Sequence, residues 1–195
     1  TIHYKCLDPS IAMTEIVDKA HSIIVMSGTL TPTEMYRDLL GFSKNTVCAE
    51  YDNPFPKENR LNLIVPKTST KFAVRSKEMY ERIAKECAKV TNFVQGNCAI
   101  FFPSYLFRDN VYQWFVNESN KSVLIEESGL TKEAKTEMIE EFKSYKDIGA
   151  ILLAVSSGSF GEGIDLVGDF LKCVIVVGLP LNKPDIETNE LIKYY

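Results

Sequence analysis

The sequence predicts an α/β domain built on a doubly wound, mainly parallel sheet with helices on both faces. Three observations carry this. Apolar runs of strand length recur, and Ile151-Leu152-Leu153-Ala154-Val155 is the purest, as expected of a strand covered on both faces. Segments with helical periodicity alternate with these runs. The runs end in small, hydroxylated or turn-forming residues, and ligands of open α/β sheets bind beyond the carboxyl ends of strands.

In chain order, Thr1-Ile2-His3-Tyr4 reads as a strand, and Ser22-Ile23-Ile24-Val25-Met26 as a second one leading into Ser27-Gly28-Thr29-Leu30-Thr31-Pro32. Thr33 to Leu40 reads as a short helix ended by Gly41. Tyr51 to Arg60, with two prolines and two asparagines, is the clearest long loop. Leu61 to Val65 reads as a further strand. Ser76 is placed to cap a helix to about Asn92 with Met79, Ile83, Cys87 and Val90 inward.

Cys98-Ala99-Ile100-Phe101-Phe102 is the next strand, and it runs into Pro103-Ser104-Tyr105. Ser104 can cap a helix carrying Phe107, Val111 and Phe115, with Trp114 expected in the core. Ser122 to Ile125 reads as a strand. Thr131 precedes an acidic first turn and the apolar positions Ala134, Met138, Ile139 and Phe142. After the 151–155 strand, Lys172 to Val177 runs into Gly178-Leu179-Pro180. Leu191 to Tyr195 reads as mid-helix, so the chain is expected to be a piece of something longer.

With 195 residues, 45% hydrophobic and 25% charged, the chain has room for one full core, and a single domain over 1–195 is expected. No run is long enough to cross a bilayer as a helix. A net charge of −4 argues against indiscriminate polyanion binding but permits a local contact. The densest basic group, Lys67, Lys71, Arg75 and Lys77, reads as a solvated face. The five cysteines lack C-x-x-C spacing and suit a reducing, intracellular setting. His3 and His21 lack metal-ligand spacing.

The most informative segment follows the 151–155 strand. Ser156-Ser157-Gly158-Ser159-Phe160-Gly161-Glu162-Gly163-Ile164-Asp165 offers three hydroxyls, three glycines and two carboxylates. Glycine lets backbone approach a ligand closely, and successive N–H groups in such a turn can form an anion nest. The loop is either a phosphate or nucleotide contact or an ordinary surface turn. No G-x-x-x-x-G-K-[ST] phosphate loop is present. We also read no strand end as carrying the acidic pair of a Walker B motif. The pattern is phosphate-contacting without the part that holds a triphosphate.

These residues resemble a known family. Met26-Ser27-Gly28-Thr29-Leu30-Thr31-Pro32 is similar to motif III of the XPD-type (xeroderma pigmentosum group D) superfamily 2 DNA helicases. Phe101-Phe102-Pro103-Ser104-Tyr105 is similar to their motif IV region, and Gly161-Glu162-Gly163-Ile164-Asp165 to their motif V. Cys6-Leu7-Asp8-Pro9 upstream and Gly178-Leu179-Pro180 downstream also fit. The resemblance covers nearly the whole chain in the right order. Ser157 and Ser159 stand where many eukaryotic members have basic residues, which suggests an archaeal-type relative.

The resemblance implies a second RecA-like motor domain of an ATP-dependent 5′-to-3′ helicase, here without motif VI and without the first motor domain. Asp165, with Glu162 in support, is implied at the ATP site, and Gly161, Gly163 and Asp165 as nucleotide contacts. The alternatives are a helix N-cap for Asp165 and a solvated charge for Glu162. Ser104, Tyr105, Ser156, Ser157 and Gly158 are implied to contact single-stranded DNA; Tyr105 either stacks on a base or packs under the rim. Ser27, Gly28 and Thr29 are implied to couple the two motor domains.

The implied cofactors are ATP with Mg²⁺ in the full-length enzyme, and an iron–sulfur cluster in the first half. The implied partners are single-stranded DNA and the first motor domain, with no membrane. The location is intracellular: cytoplasmic in an archaeon, nuclear in a eukaryote. Two other readings remain: a bacterial DinG-type helicase domain, and a non-enzymatic α/β module that binds nucleotide or a partner.

Overall fold

The structure is a computed structural model that describes residues 4–179, 181 and 185–195. The strand expected over Thr1-Ile2-His3, the role of His3 and the end of the Gly178-Leu179-Pro180 motif lie outside the described residues. The chain divides into two compact units, Ile64–Asn182 and Thr1–Leu63 with Lys183–Tyr195.

The Ile64–Asn182 unit holds a parallel sheet. Its strands are β1 (Cys98–Phe102), β2 (Ser122–Ile125), β3 (Ala150–Val155) and β4 (Cys173–Val176), in the order β2-β3-β1-β4. Cys98 is in register with Ile151 of β3 and Cys173 of β4, and Ser122 with Ala150. All six residues of β3 are buried, as its unbroken apolar run requires. β4 is an edge, with Val174 and Val176 turned outward.

Three helices close both faces: α3 (Lys77–Phe93), α4 (Tyr105–Glu118) and α5 (Lys132–Ser144). Each begins at the hydroxyl foreseen for it. Ser76 accepts from Met79 N–H, Ser104 from Phe107 N–H and Thr131 from Ala134 N–H. On one face Ile83 and Cys87 of α3 and Phe107, Val111 and Phe115 of α4 pack on Cys98, Ile100, Phe102, Ile151 and Leu153. On the other, Phe142 of α5 packs with Ala99, Leu124, Leu152, Ala154 and Phe160, flanked by Met138 and Ile139. Val90 is half-buried, while Ala84, Ala88 and Thr91 complete the inward face of α3. Trp114, expected in the core, lies at the surface with 36% exposure, because Val111 and Phe115 fill the inward stripe of α4.

A buried amide holds the amino end of the sheet. Asn97 donates through Nδ2 to the carbonyls of Phe142 and Phe170 and accepts from Ala150 N–H at 2.8 Å. Cys98 and Cys173 face each other across β1 and β4. Their mutual hydrogen bond pushes the Cys98 thiol up and lowers Cys173 to about 7.

The other unit contains α1 (Pro9–Lys19), α2 (Thr33–Leu39) and α6 (Ile186–Tyr194). Asp8 caps α1 by accepting from Ser10 N–H, and Pro9 sits in the first turn, where its missing N–H costs nothing. Asp185 caps α6 through Thr188 N–H. Tyr194 donates to Asp8 at 2.8 Å and Tyr195 to the Leu7 carbonyl at 3.1 Å. The Ser10 and Tyr194 bonds hold the Asp8 carboxyl below its ordinary range. Gly41 ends α2 at φ +72.

Two expected strands are corrected. Ser22–Met26 and Leu61–Val65 form no regular element and join no ladder among the described residues. Ile24 is 88% exposed and Leu61 82%. An apolar β-branched run becomes a strand only when a neighbour supplies its backbone partners, and these runs have none among the described residues.

Candidate functional site

Because every pairing is parallel, the carboxyl ends of the four strands share one rim. β1 delivers Pro103, Ser104 and Tyr105; β3 delivers Ser156; β4 leads to Gly178; β2 delivers Glu126. The fourth end is therefore that of β2, in place of the expected Ser22–Met26.

Glu126 was missed from sequence. The reading that no strand ends on an acidic pair is corrected, since Glu126-Glu127 follows the apolar end of β2. Glu126 is fully buried. Its N–H continues the ladder by donating to the Leu153 carbonyl at 3.0 Å. Oε2 accepts from Val155 N–H at 2.8 Å, and Oε1 from Ser159 N–H at 2.5 Å. The Tyr105 hydroxyl donates to Oε1 at 3.4 Å. Buried Arg108 donates to the Glu126 carbonyl and also pairs with Asp109. A buried carboxylate is tolerated when its oxygens are hydrogen-bonded, and both oxygens of this one are. Its oxygens are occupied by protein donors, so it acts as an internal acceptor.

The 156–163 loop is pinned from three directions. Ser156 N–H donates to the Phe102 carbonyl at 2.9 Å, tying the loop to β1. Phe160 is buried against the α5 face. Gly158 lies so close to Glu126 that an added Cβ would sit 2.4 Å from its carboxylate oxygen. Gly161 crosses the loop's own start, where a Cβ would lie 2.2 Å from the Ser156 carbonyl oxygen. The N–H groups of Gly158 and Gly161 close turns onto Val155 and Gly158. Four loop N–H groups, those of Ser156, Gly158, Ser159 and Gly161, thus serve internal acceptors, and the expected anion nest is not built from them. The Ser157 side of the loop faces solvent.

The other expected residues fall as follows. Ser104 spends its hydroxyl on the α4 cap. Tyr105 is half-buried, with the Arg108 guanidinium 5.2 Å from its ring centroid. Burial and then the Glu126 charge hold its phenol above the ordinary value. Glu162 is exposed, and its carbonyl accepts from Lys135 Nζ at 3.3 Å. Gly163 takes φ +69 with open space beside it. Asp165 is exposed and caps no helix, since the next turn opens at Gly168 after Val167 without a side-chain cap. In the other unit, the Ser27 hydroxyl accepts from Thr29 N–H at 3.2 Å, a local turn around open Gly28.

The profile of the helicase C-terminal domain family matches residues 87–195. Among curated proteins, the chain is 28% identical to the general transcription and DNA repair factor IIH helicase subunit XPD/RAD3 of Saccharomyces cerevisiae, over 92% of this chain and 25% of that protein. It is 30% identical to the corresponding XPD subunit of Schizosaccharomyces pombe, with the same coverage of each chain. It is 27% identical to the ATP-dependent DNA helicase CHL1 of Candida albicans, over 98% of this chain and 25% of that one. The chain therefore spans about a quarter of the length of these relatives. A solved XPD helicase shares the fold with a TM-score of 0.71 at 23% identity, over 96% of this chain and 34% of that chain. A solved apo XPD gives 0.68 at 23% identity, over 96% and 38%. The doubly wound sheet is thus RecA-like, and the chain belongs to the helicase C-terminal domain family, in its XPD-type branch.

Proposed function

We propose that this chain is the second motor domain of an ATP-dependent DNA helicase that moves 5′-to-3′ on single-stranded DNA. The observation that carries this reading is the rim itself. The glycine-rich 156–163 loop and the amino end of α4 lie on the carboxyl side of one parallel sheet, bridged by Glu126. Tyr105 and the Ser156, Ser157 and Gly158 turn face the DNA strand, with Ser104 shaping the helix end. Ring stacking and backbone contacts of this kind hold single strands without sequence preference.

Gly161, Gly163 and Asp165 form this domain's side of the ATP cleft. Asp165 suits the sugar end of the nucleotide, because an exposed acceptor-only carboxylate takes hydroxyl donors and repels phosphate. Open Gly163 leaves room beside it. Glu162 supports the loop from its exposed edge. ATP supplies the phosphoryl transfer when bound between two motor domains, and positioning with electrostatic stabilisation accelerates it. Ser27, Gly28 and Thr29 pass closure to the first motor domain. Among the described residues, no group of three or more His, Cys, Asp or Glu could hold a metal ion. We assign the Mg²⁺ that accompanies ATP and the iron–sulfur cluster to the first motor domain. No helix among them is long and apolar enough to cross a membrane. We place the protein inside the cell, with DNA.

The test is hydrolysis by the 195-residue chain given saturating ATP, Mg²⁺ and single-stranded DNA. No turnover above buffer is expected, because the sequence carries no G-x-x-x-x-G-K-[ST] loop to cradle the β- and γ-phosphates. Turnover that Asp165→Asn abolishes would overturn the division of labour.

A further inference from the structure

Glu126 lies outside motifs III, IV and V, yet it touches two segments that the proposed function sets against DNA. Its carboxylate accepts from Val155 N–H at the end of β3, from Ser159 N–H in the loop, and from the hydroxyl of Tyr105 at the start of α4. Arg108 braces both sides of this junction. It donates to the Glu126 carbonyl and lies 5.2 Å from the Tyr105 ring centroid. Gly158 packs so tightly on the carboxylate that the loop closes over Glu126 only with glycine there. Three donors converge on the carboxylate, so the position calls for an acceptor-only group. Glutamine would turn an NH₂ donor toward at least one of them.

Resting on the proposed function, we propose that Glu126 is a positioning residue for single-stranded DNA, locking the end of β3 and the loop that follows it to Tyr105. A base against the tyrosine ring and a phosphate against the serine hydroxyls then meet the domain at one fixed spacing. The lock sets the geometry before DNA arrives, so binding does not have to order two separate segments. Glu126 touches no substrate; it acts through Tyr105 and the loop.

The experiment uses the intact protein and measures two quantities: amide hydrogen exchange at Val155 and Ser159, and affinity for a fluorescent oligothymidylate. Glu126→Gln should speed Ser159 exchange by about tenfold or more, the scale of a lost hydrogen bond to a charged group. It should weaken oligothymidylate binding by a similar factor. Tyr105→Phe removes only the hydroxyl and should weaken binding by about two- to fivefold, the scale of a modest hydrogen bond. The double variant should bind no more weakly than Glu126→Gln alone, because both substitutions break one lock. A merely structural role would lower the melting temperature without producing this non-additivity.

If Glu126→Gln does not fold, Gly158→Ala replaces it, since the added methyl drives the loop off the same carboxylate. Unchanged Ser159 exchange, wild-type affinity in the variant, or additive losses would each overturn the proposal. If wild-type protein binds no oligothymidylate, the proposed function falls. Faster exchange in Glu126→Gln would then leave Glu126 as a structural acceptor only, and its DNA role would fall too.

Discussion

Gly161→Ala is expected to abolish the DNA-stimulated ATPase of the intact protein while the parallel sheet stays folded. The Cβ would lie 2.2 Å from the Ser156 carbonyl oxygen, a backbone atom that cannot rotate away. Ser156 cannot retreat freely either, because its N–H is bonded to the Phe102 carbonyl at the end of β1. The strain must therefore be relieved by moving the segment that carries Glu162, Gly163 and Asp165. A displacement of about 1 Å at a reacting centre costs about 10²-fold in rate. The control is Gly163→Ala, which meets no neighbour but must hold φ +69. That strain is about 1–2 kcal/mol, so a milder loss is expected. Steady-state ATPase with and without DNA, beside circular dichroism melts, separates the two. Wild-type turnover in Gly161→Ala would show that the crossing over Ser156 does not set the site.

The second large effect is expected from Asp165→Asn. The substitution keeps the shape, removes the charge and replaces one acceptor oxygen with a donor. Asn caps helices as well as Asp does, but Asp165 caps none, so stability should barely change. If the carboxylate takes the nucleotide's hydroxyls, ATPase and unwinding should fall together by about tenfold to a hundredfold, the scale of a lost hydrogen bond to a charged group. The melting temperature should stay within a degree or two, as for a surface substitution of about ±0.5 kcal/mol. Near-wild-type unwinding would remove Asp165 from the site while leaving the family assignment, which rests on the whole matched segment.

What sequence disclosed, and what it hid, follows from how far each signal reaches along the chain. β1, β3 and the caps at Ser76, Ser104 and Thr131 are local: a run of apolar residues, or a hydroxyl three residues before the N–H it accepts from. They were legible. Helix α1 carried its own local signal in Asp8-Pro9, an N-cap followed by proline in the first turn, and that signal was read only as a family pattern. Ser22–Met26 and Leu61–Val65 have strand composition, but pairing is a long-range property that composition does not contain. Trp114, expected in the core, shows the same limit, because the inward stripe of α4 is filled by Phe107, Val111 and Phe115 and leaves it outside.

The candidate site divides in the same way. The 156–165 loop announced itself through its glycines and serines. Glu126 did not, because a carboxylate after a strand looks like any solvated turn residue until Val155, Ser159 and Tyr105 converge on it from 29, 33 and 21 positions away. A sequence signal did exist in the acidic pair following Val123-Leu124-Ile125. The reason for glycine at 158 was equally hidden, since it lies in the distance to that carboxylate and not in any turn angle.

The most direct measurement of the central claim is the salt dependence of oligothymidylate binding by this 195-residue chain. Fluorescence anisotropy across a salt series should show weak binding whose log affinity falls linearly with log salt, with a slope of about −0.7 per phosphate contacted. Tyr105→Ala should weaken it further by about 1–3 kcal/mol, the worth of one stacked base. A folded chain that binds no oligothymidylate at the lowest salt, or binds it with no salt dependence, would contradict the assignment of this rim to single-stranded DNA.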